Sequence, residues 1–563
     1  MSQTSEARIR SGAVWAVCLG VGLVAWARAS EPPPDDGGPR AGPDLIIGDL
    51  TGPSNYGQDT EAQKCAYALG RITCNIGNVP ANWIDGTPNH PAHAAAMYRF
   101  KSVNGAGRFE QIGQAWVRWE FCCLQSGHCS PPNCQPVCGG CCSQLGTGCS
   151  DTTTSARSGT QSLLGPKSII NVSTGFVPAT HPTPGTGRLP GRVQVRVADL
   201  DPAQNQGAVY YGEHHVIAAD DAAAGNKMNN AGYRRFSGVG AAPSYNLSFI
   251  GTQTVRMQPA IMAWANHDAG VQFVNLDTNP VSDGRFVLGA KATALGGNAW
   301  HYEYAIYNLN SDRAGQAFSV PIADAVGVSN IGFRDVDYWA EPYSDADWTP
   351  TLADGALTWA AETYAQNVNA NALRWGTLYN FRFDADAPPT NGTVTLTIFK
   401  PGTPAAVTAT VPVPCGPPIF DPIADAATVC GRPYAAPPPA VRGSGPFVWQ
   451  LAGSPPAGMT IDPDTGALSW PDPVAADAPY PITIRAESVC GPGSDEATFL
   501  LTAARGDFTG DGRVTAADSD PFVEHLLGKL LDALCAADVN GDGAVDGRDI
   551  ASFIERREDW NGG

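Results

Sequence analysis

The chain has 563 residues, of which 63 are glycine and 47 proline, and only 16% are charged. This composition is typical of turn-rich β modules rather than helical bundles, and the length suffices for three or four domains. A net charge of −19 argues against nucleic acid and anionic membrane surfaces as partners. The sequence therefore predicts a mainly β, multidomain protein.

Residues 1–29 have the pattern of a secretory signal peptide. Basic residues precede an apolar run at 13–27, and the small-residue sequence Ala-Arg-Ala ends at Ala29. The run is shorter than the roughly 20 apolar residues that span a bilayer. We expect cleavage after Ala29, a protein that is secreted or held in the cell envelope, and no transmembrane anchor in the mature chain.

Residues 30–43 are a linker rich in proline and glycine, and a cysteine-rich region follows at 44–185. An exported chain with fourteen cysteines beyond its signal peptide favours a disulfide framework. The alternative is a zinc site, because Cys138 and Cys141 have ligand spacing and His128 is near. Spacing alone does not fix the connectivity.

Residues 186–413 alternate apolar and polar side chains in several short runs, including RVQVRV, WHYEYAIY, LYNFRF and TVTLTIF. Period-two patterns bounded by turn residues predict antiparallel strands with one buried face. So many short strands favour a β-sandwich-like domain.

One stretch of this region, 334–348, could carry chemistry. If it is a strand, Asp335 and Asp337 share a face, and paired carboxylates can hydrolyse glycosides. Tyr338, Trp339 and Trp348 could then stack on sugar rings. The alternatives are an acidic loop rim, a charge pair at a sheet edge or another calcium site. No general acid in an apolar pocket can be identified from spacing, so no catalytic residue is assigned.

The body at 44–413 resembles uncharacterised exported proteins of planctomycete-type bacteria. The resemblance lies in stretches such as FEQIGQAWVRW, WHYEYAIYNLNSDR and GFRDVDYW. It implies export and gives no activity.

Residues 414–504 form a separable module with the runs PFVWQL, PPAGMTIDPDTGALSW and YPITIRAESVC. These runs resemble the immunoglobulin-like or cadherin-like repeats of bacterial surface proteins, and 458–466 matches their hairpin. Cys430 and Cys490 are the expected internal bridge, which leaves Cys415 and Cys535 as a second pair.

The clearest functional motif is a repeat near the C-terminus. Two twelve-residue stretches lie 31 residues apart, DFTGDGRVTAAD at 507–518 and DVNGDGAVDGRD at 538–549. Ca²⁺ takes six to eight oxygen ligands, and alternate positions of a tight loop can supply them. Gly512 and Gly543 stand at position 6, where the turn is sharpest. The predicted ligands are Asp507, Thr509, Asp511, the Arg513 carbonyl, Thr515 and Asp518 in the first loop, and Asp538, Asn540, Asp542, the Ala544 carbonyl, Asp546 and Asp549 in the second.

The repeat continues beyond the ligands, because Phe522 matches Phe553 and Glu524 matches Glu555. Each loop is therefore expected to lead into a helix, and the two helices to pack as a pseudo-symmetric pair. On these grounds residues 505–559 resemble a type I dockerin, a small all-α module that holds two Ca²⁺ ions and binds a cohesin. Dockerins often carry hydroxyl residues at loop positions 10 and 11, where this chain has 516–517 Ala-Ala and 547–548 Gly-Arg. That departure puts a standard cohesin in doubt and leaves calcium binding intact.

Taken together, the patterns predict an exported, non-catalytic, calcium-binding protein. Its dockerin-like module is expected to dock onto a cohesin-like or cell-envelope partner. The alternative is a glycoside hydrolase or carbohydrate-binding component of an extracellular complex, with a polysaccharide as its ligand.

Overall fold

A computed structural model describes residues 40–129, 132–251, 253–490 and 493–559. The predicted signal peptide at 1–29 and most of the 30–43 linker lie outside these residues. The protein is mainly β and multidomain, with several antiparallel sheets. The α-helices are short: Ser155–Ser158, Val197–Leu200, Ala219–Ala223, Ser519–Leu526, Leu534–Ala537 and Asp549–Arg556. Within the described residues no helix is long and apolar enough to cross a bilayer.

The first sheet has its strands in the order Leu45–Asp59, Lys64–Asn75, Val193–Arg196, Ala106–Gln114, Ala92–Val103, Val209–Ile217 and Ala231–Arg235. Short strands extend it at Val117–Trp119, Ser150–Thr153 and Leu164–Gly165, and Ala81–Asn82 pairs separately with Gln144–Leu145. The sheet curls so far that its first and last strands meet. A side chain on Gly232 would lie only 2.9 Å from the Cβ of Ile47, so this close approach requires glycine.

The expected boundary between 44–185 and 186–413 falls inside this sheet. Val193–Arg196 pairs on one side with Lys64–Asn75 and on the other with Ala106–Gln114. The strand Val209–Ile217 pairs with Ala92–Val103 along its whole length. The cysteine-rich segment is therefore part of the same structural unit as the first sheet. This unit continues beyond residue 235, because Phe236, Tyr245 and Leu247 lie in its core.

Two five-stranded sheets form a β-sandwich. One contains Gln272–Asp277, Arg285–Gly296, Ala299–Asn308, Leu378–Ala385 and Val328–Arg334, and the other contains Thr349–Ala353, Ala356–Ala360, Gly315–Pro321, Pro389–Ile398 and Ala406–Pro414. Their inner faces meet in one aromatic core, where Tyr304 and Phe381 of the first sheet contact Phe318 of the second. The alternating runs near 300, 379 and 394 are strands, as predicted.

The curled sheet and the sandwich share a second core that contains side chains from both, including Tyr98 and Tyr307. Charged groups cross the same boundary. The guanidinium of Arg108 donates to both carboxylate oxygens of Glu303 at 3.0 and 2.9 Å, and both residues are buried. A paired and desolvated charge of this kind fixes the relative position of two sheets.

The Ig-like module follows. Its larger sheet contains Ala426–Ala427, Ser494–Thr502, Tyr480–Ser488 and Phe447–Ala452, its smaller sheet contains Tyr434–Ala436, Leu468–Trp470 and Thr460–Ile461, and Ile419–Phe420 pairs with Val441–Arg442. The predicted hairpin closes through a turn in which Gly466 has a φ of 77°.

The disulfides correct two expectations. Cys415 pairs with Cys490 and Cys430 pairs with Cys535, so the predicted bridge between Cys430 and Cys490 is wrong. Cys430 lies at the end of the module that faces the C-terminal residues, where its Cα is 5.5 Å from that of Cys535, a normal distance for a disulfide.

In the cysteine-rich region the bonds are Cys74–Cys129, Cys122–Cys141, Cys134–Cys149 and Cys138–Cys142. Cys138 and Cys141 are therefore engaged in disulfides and do not form the alternative zinc site. Cys65 and Cys123 remain as buried thiols, so the framework does not use every cysteine of the described residues.

Candidate metal centre

The first C-terminal loop, 507–518, is folded around its first and last carboxylates. Asp507 accepts hydrogen bonds from the amides of Gly510 and Gly512 at 2.7 and 2.9 Å. Both glycines have positive φ, 73° and 85°, which the turn requires and which side chains disfavour. Asp518 accepts from the amides of positions 2, 3 and 9, each at 2.9 Å.

The second loop, 538–549, repeats this geometry. Asp538 accepts from the amides of Gly541 and Gly543 at 2.9 and 3.0 Å, and these glycines also have positive φ. Asp549 accepts from the amides of Asn540 and Asp546 at 3.0 and 2.9 Å. The 31-residue sequence repeat is therefore a repeat of hydrogen bonding as well.

Each loop leads into a helix of eight residues, Ser519–Leu526 and Asp549–Arg556. The rings of Phe522 and Phe553 stack with centroids 4.2 Å apart and planes within 6°. The prediction of a pseudo-symmetric helix pair is confirmed.

Three of the four terminal carboxylates are fully buried, those of Asp507, Asp518 and Asp549, and Asp538 is 9% exposed. Among the ion pairs of the described residues, none involves the three buried carboxylates. Burial raises the pKa of Asp507, and the charge of Asp518 raises it further, although the hydrogen bonds from the amides of Gly510 and Gly512 act to lower it. Buried carboxylates without a counter-charge are costly, and a cation in the loop would remove that cost.

The remaining predicted ligands lie nearer the surface. Thr509 donates to Asp507 at 3.3 Å and Thr515 to Asp518 at 3.4 Å, so these four side chains of the first loop form two hydrogen-bonded pairs. Asp511 and Asp542 each accept from the amide two residues on, that of Arg513 and of Ala544.

Counting only His, Cys, Asp and Glu side chains, the described residues contain no group of three able to hold a metal ion. A complete ligand set at either loop must therefore include hydroxyl, amide or main-chain oxygens. The donor set predicted from the sequence has that composition, and oxygen donors of these kinds are the ones calcium prefers.

The two loops differ in their cationic neighbours. Arg505 lies 3.1 Å from the carboxylate of Asp538. Arg548 contacts Asp542 at 3.0 Å and Asp546 at 2.6 Å. Three of the four carboxylates of the second loop therefore already face a guanidinium group, a feature that ligand spacing does not reveal.

Exposed apolar side chains are concentrated around the helices. We call the following set the apolar patch: Val523, Leu527, Leu531, Leu534, Ile550 and Ile554, which are 36–69% exposed. Val523 and Leu527, which directly follows the first helix, are four residues apart, as are Ile550 and Ile554 in the second helix. Side chains at this spacing lie on the same face of a helix. Leu531 and Leu534 line a cavity of about 460 Å³ that also touches Asp538 and Gly543 of the second loop. Apolar surface of this density in a small module is typical of interaction sites.

The suspected carbohydrate site at 334–348 is built differently from the expectation. The strand Val328–Arg334 ends at its first residue, so Asp335 and Asp337 do not share a strand face. Asp337 pairs with Arg196 and with Lys64, which is 3.2 Å away, and despite burial the Arg196 contact lowers its pKa.

The aromatic side chains of this stretch are largely engaged inside the protein. Tyr338 and Trp348 are 7% and 1% exposed, and Trp348 stacks on Phe333. Trp339 packs against Trp116. The expected stacking surface for sugar rings is therefore absent at Tyr338 and Trp348.

Comparison with known proteins agrees with this geometry at the C-terminal end. The dockerin type I domain family matches residues 505–556, and the family named "Putative Ig domain" matches 417–504. Residues 505–556 are thus a dockerin type I domain, and the Ig domain at 417–504 precedes it. No curated protein matches the chain.

Among solved structures, a putative α-galactosidase of Bacteroides fragilis is similar at 15% identity and TM-score 0.14, over 22% of this chain and 26% of that one. Mouse cadherin-23 repeats are similar at 10% identity and TM-score 0.15, over 40% and 80%. The mouse nectin-like molecule 4 ectodomain is similar at 11% identity and TM-score 0.17, over 52% and 77%. The chain thus spans about a quarter of the first of these structures. At such TM-scores the likeness carries no inference about activity.

Proposed function

We propose that this protein is a non-catalytic component of an extracellular assembly, which it joins through its dockerin domain. The domain binds two calcium ions, in the loops 507–518 and 538–549, and docks onto a cohesin-like or cell-envelope partner. The observation that carries this proposal is the doubled loop geometry, in which matched carboxylates gather matched backbone amides.

Each ion is held by the ligands at positions 1, 3, 5, 7, 9 and 12 of its loop. Type I dockerins as a family bind calcium, and the buried carboxylates of both loops fit a divalent cation. Calcium supplies a counter-charge and a geometric centre, while the protein supplies the oxygens.

The apolar patch supports docking through the helices. At loop positions 10 and 11 this chain has small side chains and Arg548 in place of hydroxyls, so the patch contributes most of the contact. We expect the partner to present an apolar surface, because such surface is what the exposed valine, leucine and isoleucine side chains can bury.

Extracellular placement is supported by the dockerin and by six disulfides among the described residues. The non-catalytic assignment is supported by the ion pairing of Asp337 and by the burial of Tyr338 and Trp348.

Calorimetric titration of the full chain with CaCl₂ tests the metal site. We expect two ions per chain, with one lost in Asp507→Ala and the other in Asp538→Ala. Absence of calcium binding by the wild-type chain would refute the proposal at its base.

Docking is tested with a purified type I cohesin, by surface-immobilised binding with calcium and with a chelator. We expect calcium-dependent binding that Val523→Lys together with Ile554→Lys abolishes. The matched control is Val448→Lys, an exposed valine of the Ig-like module, which should bind normally. Equal loss in both variants would show that the apolar patch is not the docking surface.

A further inference from the structure

The dockerin domain and the Ig-like module form one packed unit. Val429 and Cys430 of the Ig-like module belong to the same buried cluster as Phe508, Phe522 and Phe553 of the dockerin. The Cys430–Cys535 disulfide joins the two covalently, and Arg432 pairs with Asp532 at 2.9 Å.

This packing covers the first calcium loop. A methyl group on Gly512 would lie 3.2 Å from the Cβ of Ala427, and one on Gly510 would lie 3.3 Å from a methyl carbon of Val429. The covering wall is the sheet edge where Ala426–Ala427 pairs with Ser494–Thr502 in parallel. The first loop therefore cannot open outward on this side without disturbing the Ig-like module.

The second loop has no such wall at the equivalent glycines. A methyl group on Gly541, the counterpart of Gly510, would have the guanidinium group of Arg505 in the dockerin itself as its nearest neighbour, at 3.5 Å. A methyl group on Gly543, the counterpart of Gly512, would meet nothing within 4 Å. Gly541, Asp542 and Gly543 are all exposed. The pseudo-symmetry of the dockerin is thus broken by the neighbouring module.

The neighbouring charges also make the two loops unequal, because within the part of the chain that the structure describes guanidinium groups pair with carboxylates of the second loop only. A cation entering the second loop must displace Arg548 from Asp542 and Asp546, and it meets Asp538 already paired with Arg505. Asp511 and Asp507 of the first loop have no such ion pair among the described residues. Counting carboxylates favours the second loop, with four against three, but the paired guanidinium groups offset that advantage.

We propose that the Ig-like module retains calcium in the first loop, while the second loop exchanges its ion readily and makes docking responsive to calcium. This inference rests on the proposed function, because it assumes that both loops bind the metal. A pre-formed and covered loop loses less freedom on binding and opens less often. The second loop shares Asp538, Gly543 and Val545 with the cavity lined by Leu531 and Leu534, so its occupancy shapes part of the apolar patch.

The test is the release of calcium from the full chain, followed by stopped-flow mixing with a fluorescent chelator. We expect two phases whose rates differ by at least about tenfold. Asp511→Ala and Asp542→Ala are matched changes at position 5 and assign the phases. The slow phase should be missing from Asp511→Ala, and the fast phase from Asp542→Ala.

Arg548→Ala tests the charge argument and needs no change in the core. We expect it to raise the calcium affinity of the second loop about fivefold, the size of a modest surface charge effect. Arg485→Ala is the control, because that guanidinium pairs with Glu496 of the Ig-like module rather than with a ligand carboxylate, and it should leave both affinities unchanged.

The outcomes separate this inference from the proposed function. If the wild-type chain releases two ions at one rate, or if Asp542→Ala removes the slow phase, the inference is overturned while calcium binding stands. If no ion is released because none binds, the proposed function itself fails. Two phases assigned as expected, with the Arg548→Ala effect, support both.

Discussion

The Cys430–Cys535 disulfide offers a direct test of how the dockerin domain is held. The perturbation is Cys430→Ser combined with Cys535→Ser, which removes the covalent link and leaves the surrounding side chains in place. A disulfide stabilises a fold chiefly by restricting the unfolded chain, by an amount that grows with the logarithm of the loop it closes.

Two loop lengths bracket the magnitude. If the Ig-like module stays folded while the dockerin unfolds, the bond closes the segment from residue 504 to Cys535, about 30 residues, and contributes about 3.6 kcal/mol at 25 °C. If both unfold together, the sequence separation of 105 applies and the contribution is about 4.8 kcal/mol. The lower value governs local opening of the dockerin.

Amide hydrogen exchange on the full chain measures this local opening. In the double variant we expect the amides of Ser519–Leu526 and Asp549–Arg556 to lose about 400-fold in protection, the equivalent of 3.6 kcal/mol. The matched control is Cys415→Ser with Cys490→Ser, which removes the disulfide at the far end of the Ig-like module and should leave these helices protected. Unchanged helix protection in the Cys430/Cys535 variant would refute the reasoning, because it would mean that the shared core alone prevents opening.

Three further predictions concern packing and charge. Truncating either ring of the stacked pair, by Phe522→Ala or Phe553→Ala, should destabilise the dockerin by about 3–5 kcal/mol, since both rings are at most 4% exposed. A denaturant titration followed by circular dichroism of the helices measures this loss of stability. A loss below about 1 kcal/mol would contradict the packing argument. Arg108→Met should cost up to about 3–5 kcal/mol, because the buried Glu303 would lose its guanidinium and keep only the ion pair with His301. Arg108→Met with Glu303→Leu should recover most of that loss. Equal unfolding midpoints for the single and double variants would count against a buried ion pair. Burial raises the pKa of Glu213 to about 7, so the folded state holds a proton that the unfolded state releases near pH 4.5, and stability should fall by up to about 3 kcal/mol as pH rises from 4.5 through 7. Glu213→Gln should flatten that slope in thermal unfolding measured from pH 5 to 8, and an unchanged slope would show that Glu213 is not its source.

The sequence by itself predicted the features that depend on neighbouring residues. The acidic side chains of 507–518 and 538–549 recur at fixed spacing, and the hydrogen bonds that close each loop join residues within twelve positions of one another. The alternating runs near 300, 379 and 394 became strands for the same reason, because the side-chain period of a strand is a local property. The dockerin and the Ig-like module could accordingly be recognised from short patterns.

Pairing between distant segments could not be predicted in this way. Nothing local in RVQVRV shows that Val193–Arg196 inserts between Lys64–Asn75 and Ala106–Gln114, so a domain boundary was expected just before it. The partner of Cys430 was misassigned because the spacing of cysteines does not show which two Cβ atoms meet. Likewise, the spacing of Asp335 and Asp337 is compatible with a catalytic pair, and only the fold shows that Asp337 is paired with Arg196 and Lys64.

The sequence thus determined that the tail has two acidic loops with the same spacing of oxygen-bearing residues and glycines, since each pattern lies within twelve residues. Only the tertiary structure decided that these loops are unequal, because the wall of Ala427 and Val429 over one loop and the guanidinium groups of Arg505 and Arg548 beside the other arise from packing and side-chain approach. Burial and counter-charge depend on which surfaces meet in three dimensions, and two nearly identical stretches of sequence therefore acquire different chemistry.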